Sequence, residues 1–163
     1  MIEKIGRSSE NPIGYFVRQE REIQKEPDQA EAIVTVDDKY RIMIPASFIN
    51  RKGNELINRK ENKVMILGTA EIISPAVPDC ELFRICTLKH WRDLDSQAQK
   101  QSREFQRIFY AHVSQSGIDE QQRILIPERI RSVFNLKPRE KLKITEKEEG
   151  LFVYRVNPNE GSL

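Results

Sequence analysis

The sequence predicts an α+β, β-rich protein built from two copies of one folding unit. Two stretches support this prediction, VDDKYRIMIP at residues 36–45 and IDEQQRILIP at residues 118–127. Their Asp, Arg and Pro positions are separated by a single interval, because 119 − 37, 123 − 41 and 127 − 45 all equal 82. A match in fixed register over this length indicates an internal duplication.

Each copy reads as a strand, a tight polar loop, a second strand and a helix. The apolar runs 42–44 and 124–126 are too short for helices, so they are interpreted as buried strands. Pro45 and Pro127 follow these runs and suit the first turn of a helix, where a backbone N–H would have no partner. In each loop the Asp can bond the backbone of the turn, and the Arg four residues later presents a permanently charged guanidinium.

The remaining elements complete each copy and join the two. Apolar runs bounded by turn residues predict two hairpins, 63–67 with 81–86 and 141–145 with 151–155. Helical apolar spacing over 88–112 predicts one long helix, or two helices broken near Ser102. The predicted organisation is an N-terminal extension expected to be partly disordered (1–31), a first repeat (32–88), a helical linker (89–112), a second repeat (113–156) and a tail (157–163).

Composition restricts the class of protein. The net charge of +2 is only weakly basic and does not by itself predict nucleic-acid binding. No run approaches the roughly 18 apolar residues of a membrane span, and the first residues carry no apolar signal-peptide core. We therefore expect a cytoplasmic protein without a membrane partner.

The cysteines and histidines do not suggest a metal site. Cys80 and Cys86 flank a predicted strand and form no C-x-x-C pair, so neither a disulfide framework nor a zinc site is expected. His112 lies at a predicted helix end, where a packing or capping residue is commoner than a ligand. We expect no metal and no other cofactor.

The sequence also does not suggest an enzyme. It contains no nucleophile–base pair and no Gly-rich phosphate loop, so no catalytic residue and no small-molecule substrate are expected. Asp37 and Asp119 would be acid–base partners only if the two loops converged, which the sequence does not show.

The duplicated loop resembles the MraZ family, the double-repeat members of the AbrB swapped-hairpin class, whose halves each carry a D-x-x-x-R signature. Residues 82–85 with His90 and Trp91 look like the strand and helix that close that family's first half, and residues 106–112 are similar to the helix before its second loop. The resemblance covers about residues 30–156. It implies two tandem AbrB-like swapped-hairpin repeats that form one pseudo-twofold domain, joined by a helical segment.

The resemblance also implies a function. Members of this family are nucleoid-associated transcription factors that bind double-stranded DNA at short G/T-rich direct repeats, upstream of the cell-division and cell-wall gene cluster, as ring-shaped homo-oligomers. By this resemblance Arg41 and Arg123 contact DNA, while Asp37 and Asp119 hold the loops. Lys39 could add a phosphate contact. Its counterpart in the second copy is Gln121, so the two loops are expected to differ in affinity.

One departure leaves an alternative open. The family loop commonly has Gly before the Arg, where this sequence has Tyr40 and Gln122. A left-handed backbone there would cost roughly 1–2 kcal/mol for each residue. We therefore expect a changed loop shape, with either a different target or weaker DNA binding. The alternative is an oligomeric scaffold or protein-interaction module, which the near-neutral charge favours and the paired arginines oppose.

Overall fold

The computed structural model describes residues 30–51, 53–68 and 81–156. Within these ranges the protein is α+β and strand-rich, which confirms the predicted class. The predicted extension 1–31, apart from its last two residues, and the tail 157–163 lie outside the described residues. The strands are β1 (Glu31–Thr35), β2 (Arg41–Met43), β3 (Lys63–Leu67), β4 (Glu81–Cys86), β5 (Val113–Gly117), β6 (Arg123–Leu125), β7 (Lys141–Lys147) and β8 (Gly150–Arg155). The helices are α1 (Ala46–Ile49), α2 (Leu88–Gln99), α3 (Arg103–Ala111) and α4 (Glu128–Phe134).

Six strands form one antiparallel sheet in the order β1-β7-β8-β4-β3-β5. The first strand of each half pairs with the hairpin of the other half, since β1 lies beside β7 and β5 lies beside β3. The equivalent strands of the two halves are β1 and β5, β3 and β7, and β4 and β8. Exchanging the members of each pair gives the same order read backwards, so the strand order is symmetric about the β8–β4 pair.

The second strands of the two copies, β2 and β6, pair with each other as a separate antiparallel ribbon. Its centre is the pair Ile42 and Ile124, both buried, and these residues are 82 apart like the Asp and Arg positions (124 − 42). The interpretation of 42–44 and 124–126 as buried strands is wrong at their middle residues, because Met43 is 55% exposed and Leu125 is 45% exposed. Side chains alternate across a strand, so only every second residue of these runs faces the core.

Local sequence signals explain the other elements. The predicted hairpins form as β3–β4 and β7–β8. The predicted helical segment is divided into α2 and α3, and the Ser102 hydroxyl caps α3 by accepting a hydrogen bond from Phe105 N at 3.1 Å. His112 ends α3, with its Nδ1 2.8 Å from Ile108 O, in line with a capping role. No helix in the described ranges is long and apolar enough to cross a membrane.

The buried apolar residues form two clusters. The larger cluster joins the sheet to the β2–β6 ribbon, and includes Ile42, Ile124 and residues of both α1 and α4. The smaller cluster packs α2 and α3 against the ends of β3 and β4 through Leu94, Phe105 and Phe109. Because both copies contribute to the larger cluster, the ribbon and its loops are fixed on a core that the two halves share.

A buried cluster of charged and polar side chains comes from β4 and the first turn of α2. Arg84 Nη2 is 3.2 Å from Glu81 Oε1, and both side chains are 0% exposed. The Arg84 guanidinium also lies 4.0 Å from the centroid of the Phe152 ring. Arg84 Nη1 is 3.1 Å from His90 Nε2. A guanidinium can only donate, so His90 Nε2 accepts, and the imidazole is neutral.

The free energy of unfolding is expected to fall in acid because of His90. Burial, together with the nearby charge of Arg84, lowers the pKa of His90 from 6.5 to about 3. Between these values the unfolded chain binds a proton that the folded protein excludes, so this contribution to stability is complete above pH 6.5 and declines as pH falls towards 3. The slope approaches about 1.4 kcal/mol per pH unit. Urea titrations at several pH values measure it.

The matched variant is His90→Gln, which keeps an acceptor in the site and removes the titrating group. Its stability is expected to vary less with pH between 4 and 6.5 than that of the unaltered protein, whatever its stability at pH 7. Equal slopes for the two proteins would assign the acid sensitivity to other groups.

Candidate nucleic-acid interface

The first loop connects β1 to β2 and is organised by the carboxylate of Asp37. Its Oδ1 accepts hydrogen bonds from the backbone N–H groups of Lys39 at 2.9 Å and Arg41 at 2.8 Å. Its Oδ2 accepts a third from Arg41 Nε at 2.9 Å. Asp37 N donates to Arg41 O at 2.9 Å, which closes the turn. One aspartate therefore fixes both the loop backbone and the orientation of the arginine.

The second loop, between β5 and β6, repeats this geometry. Asp119 Oδ1 accepts from the backbone N–H groups of Gln121 and Arg123, each at 2.9 Å. Asp119 Oδ2 accepts from Arg123 Nε at 2.8 Å. The duplication in sequence is therefore a duplication of hydrogen-bonding geometry.

The residue before each arginine adopts the left-handed conformation. Tyr40 has φ 61° and Gln122 has φ 64°. The expectation of a changed loop shape assumed that these residue types avoid the left-handed region, and both residues adopt it. Both residues adopt the strained backbone conformation, and the hydrogen bonds of the two loops still match.

Contacts between the halves account for this conformation. The carbonyl of Gln122 accepts a hydrogen bond from Ile44 N at 2.8 Å, and the carbonyl of Tyr40 accepts one from Ile126 N at 2.9 Å. The Tyr40 ring also packs against the larger cluster and lies 4.8 Å from the guanidinium carbon of Arg131. Left-handed residues outside glycine persist where surrounding contacts hold them, and these bonds supply such contacts in both loops.

The two loops converge, which the sequence could not show. Pairing of β2 with β6 brings Arg41 Nη1 within 3.9 Å of Asp119 Oδ2 in the opposite loop. The side chains of Arg41 and Arg123 are 27% and 28% exposed. Lys39 and Gln121 are exposed, one in each loop. The residues singled out from the sequence therefore lie in two neighbouring loops, where they are exposed or partly exposed.

The electrostatics of this surface favour ionised aspartates. Partial burial would raise the pKa of Asp37, but hydrogen bonds from the Arg41 and Lys39 backbone and the Arg41 side chain outweigh it and lower that pKa. The pKa of Asp119 is also lowered, mainly by the hydrogen bond from Arg123 N. A carboxylate that stays ionised is a poor proton donor at neutral pH, so convergence does not make these residues a general acid–base pair.

Sequence reasoning missed part of the candidate interface. Met43 and Leu125 lie outward on the ribbon beside the arginines, although the sequence predicts both in buried strands. Alternation along a strand could have revealed them, since Met43 and Leu125 each lie between two residues that face the core. The packing of Arg131 on Tyr40 had no signal in the sequence. Among the described residues, no cluster of three or more His, Cys, Asp or Glu side chains is placed to hold a metal ion.

Comparison with known proteins gives a consistent set of relatives. No family model matches the chain. It is 31% identical over 103 residues to the "Transcriptional regulator MraZ" of Thermoanaerobacter sp. (strain X514), which covers 60% of each chain. It is 32% identical over 107 residues to the protein of that name from Caldicellulosiruptor saccharolyticus, covering 62% of this chain and 63% of the relative.

A third relative, from Caldanaerobacter subterraneus subsp. tengcongensis, also carries the name "Transcriptional regulator MraZ" and is 30% identical over 103 residues. The chain spans about 60% of the length of the curated relatives it matches. Over that shared part the resemblance to the MraZ family, first drawn from the two Asp–Arg loops, is confirmed, and the chain is a relative of the MraZ transcriptional regulators.

Proposed function

We propose that this protein is a sequence-specific, DNA-binding transcriptional regulator of the MraZ type, and that it is not an enzyme. The observation that carries the proposal is the pair of arginines held at the ends of one ribbon. Each Nε is bound to an aspartate of its own loop, at 2.9 Å for Arg41 and 2.8 Å for Arg123. The relatives' name supports the same function.

This geometry suits base recognition. With Nε engaged, the two Nη groups form the remaining edge of each guanidinium, and among the described residues they donate no hydrogen bond within normal distance. Two parallel N–H donors match O6 and N7 of guanine in the major groove. Because Asp37 and Asp119 already hold the side chains in place, less rotamer entropy is lost on binding. We assign Lys39, exposed in the first loop, to a phosphate contact.

The assembly and target belong to the same proposal. We propose that each half is an AbrB-like swapped-hairpin repeat, which agrees with β1 pairing with β7 and β5 with β3. A ring-shaped homo-oligomer would present many loops to short direct repeats upstream of the cell-division and cell-wall gene cluster in the nucleoid. Several linked weak contacts raise avidity without a high charge on each chain, which suits a net charge of +2.

Replacing the arginines is expected to weaken DNA binding while leaving the fold intact. Arg41→Ala and Arg123→Ala should each lower affinity by about 5- to 150-fold, corresponding to a good bidentate contact of about 1–3 kcal/mol. The free energy of unfolding should change by less than about 1 kcal/mol, because partly exposed ion pairs contribute little. Fluorescence anisotropy at two salt concentrations, with DNA from upstream of the protein's own operon and an unrelated duplex, measures affinity and specificity.

The matched control is Arg103→Ala, which removes the same charge from an exposed position on α3. It should retain preference for the upstream DNA. If Arg41→Ala and Arg123→Ala bind as tightly as the control, the two arginines are not DNA contacts. If they fail to fold, their role is structural.

The loops' own charges favour a second candidate, an oligomeric scaffold that has lost DNA readout. Residues 37–41 contain two acids and two bases, and residues 119–123 contain two acids and one base, so their net charges are 0 and −1. Such loops attract phosphate weakly. Equal and weak binding to both duplexes in the anisotropy experiment would support the scaffold over the regulator.

A further inference from the structure

The outward side of the β2–β6 ribbon carries four side chains, which we call the ribbon face: Arg41, Met43, Arg123 and Leu125. Directly opposed residues of an antiparallel pair lie on the same side of a sheet. Arg41 opposes Leu125 and Met43 opposes Arg123. Each arginine is therefore paired across the ribbon with one apolar side chain. A second apolar side chain lies two residues further along the arginine's own strand.

The apolar members of the ribbon face are not core residues. Met43 is 55% exposed and Leu125 is 45% exposed, whereas their neighbours Ile42 and Ile124 are 1% exposed. Both exposed residues occupy the same position in the duplicated unit. Packing within the described residues does not explain why both copies have an apolar side chain at this exposed position. Contact with a binding partner would explain it.

Duplex DNA offers the matching chemistry. In the major groove, guanine presents O6 and N7 acceptors, and thymine presents a C5 methyl group that apolar side chains contact. A two-stranded ribbon fits the groove, which is about 12 Å wide. Alternate side chains on one strand are about 6.7 Å apart, close to two base-pair steps of about 3.4 Å. Arginine and an apolar residue on one strand can thus reach bases of one site.

We propose that Met43 and Leu125 are specificity-determining residues that contact thymine methyl groups near the guanines bound by Arg41 and Arg123. This inference rests on the proposed function, and adds to it a second type of base contact. The ribbon face then recognises guanine by hydrogen bonding and thymine by apolar contact. Cytosine, with neither an acceptor pair nor a methyl group at its major-groove edge, is disfavoured at both kinds of position.

Uracil substitution tests this contact directly, because replacing thymine by uracil removes the methyl group and keeps the base pair. The probe is the tightest-binding duplex selected by the full-length protein from a random-sequence pool, with single thymines replaced in turn. The unaltered protein should lose about fourfold in affinity for each contacted methyl, the value of one buried CH₂-sized group. The variant Met43→Ala/Leu125→Ala should bind the thymine and uracil duplexes equally.

The matched control is Val133→Ala, which shortens an apolar residue of similar exposure that lies on α4 and not on the ribbon face. It should discriminate thymine from uracil as the unaltered protein does. Specific binding that is indifferent to uracil overturns the inference and leaves the proposed function standing. Failure of the unaltered protein to select any duplex overturns both.

Two further outcomes decide against the inference. Discrimination that persists in Met43→Ala/Leu125→Ala would place methyl recognition on other residues. A change in the molar mass of this variant, measured by light scattering without DNA, would make the ribbon face a contact between copies of the chain. Unchanged mass together with lost discrimination supports the DNA contact.

Discussion

Replacement of Arg84 by methionine is expected to lower the free energy of unfolding by about 3–5 kcal/mol, as for removal of one member of a buried ion pair. Glu81 and Arg84 are both 0% exposed, with Arg84 Nη2 at 3.2 Å from Glu81 Oε1. Arg84 Nε adds a second contact to Oε2 at 3.4 Å. Without the guanidinium, the Glu81 carboxylate stays buried without this opposing charge. Urea denaturation at pH 7 followed by circular dichroism measures the loss.

A double-mutant cycle separates the ion pair from simple packing. Glu81→Gln/Arg84→Met removes both charges, so its destabilisation is expected to be smaller than the sum of the two single substitutions. Simple additivity would mean that the two side chains stabilise the fold independently, and that the charge interaction is negligible.

Replacement of Gly150 by alanine is expected to destabilise the protein by about 2–6 kcal/mol, adding backbone strain of about 1–3 kcal/mol to overpacking of about 1–3 kcal/mol. Gly150 opens β8 with φ 151°, which side-chain-bearing residues rarely adopt. A Cβ atom there would lie 2.1 Å from the carbonyl oxygen of Ile85. That oxygen belongs to the central strand β4, which cannot retreat without disturbing both neighbouring strands.

Two other glycines separate strain from the clash. Gly53 has φ 72° and nothing within 4 Å of an added Cβ, so Gly53→Ala should show only the strain. At Gly117 the nearest atom to a Cβ is Asn62 O at 4.0 Å, so Gly117→Ala should be almost neutral. Denaturation midpoints falling in the order Gly117→Ala, Gly53→Ala, Gly150→Ala are expected. A Gly150→Ala protein as stable as Gly117→Ala would mean that β8 moves freely away from β4.

Much of the fold could be predicted because its signals are local. Short apolar runs, the break at Ser102 and the prolines before α1 and α4 determine where elements begin and end. Their pairing could not be predicted in the same way. The pairing of β1 with β7 depends on contacts between residues more than 100 positions apart, such as Glu31 and Thr145. Neither segment's sequence indicates that the other is its partner.

The residues of the candidate site could be predicted because they repeat in the sequence, but their arrangement in space could not. The interval of 82 is enough to identify Asp37, Arg41 and their counterparts. It does not show that the loops converge, because convergence follows from β2 pairing with β6. The sequence identifies Tyr40 and Gln122 as positions where a left-handed backbone would be strained, and both residues adopt that conformation. Hydrogen bonds from the opposite half hold these residues in the left-handed conformation.

The exchange of first strands between the halves bears on how the protein is made. As the chain leaves the ribosome, β1 emerges long before β7, which it requires as a neighbour. The nascent first half therefore has unpaired strand edges until the second half follows. If the two halves were separate polypeptides, completion of the sheet would depend on how often these polypeptides met. Within one polypeptide the effective concentration is set by the connection, on the order of millimolar for a short flexible one, so assembly of the sheet is independent of how much protein the cell contains.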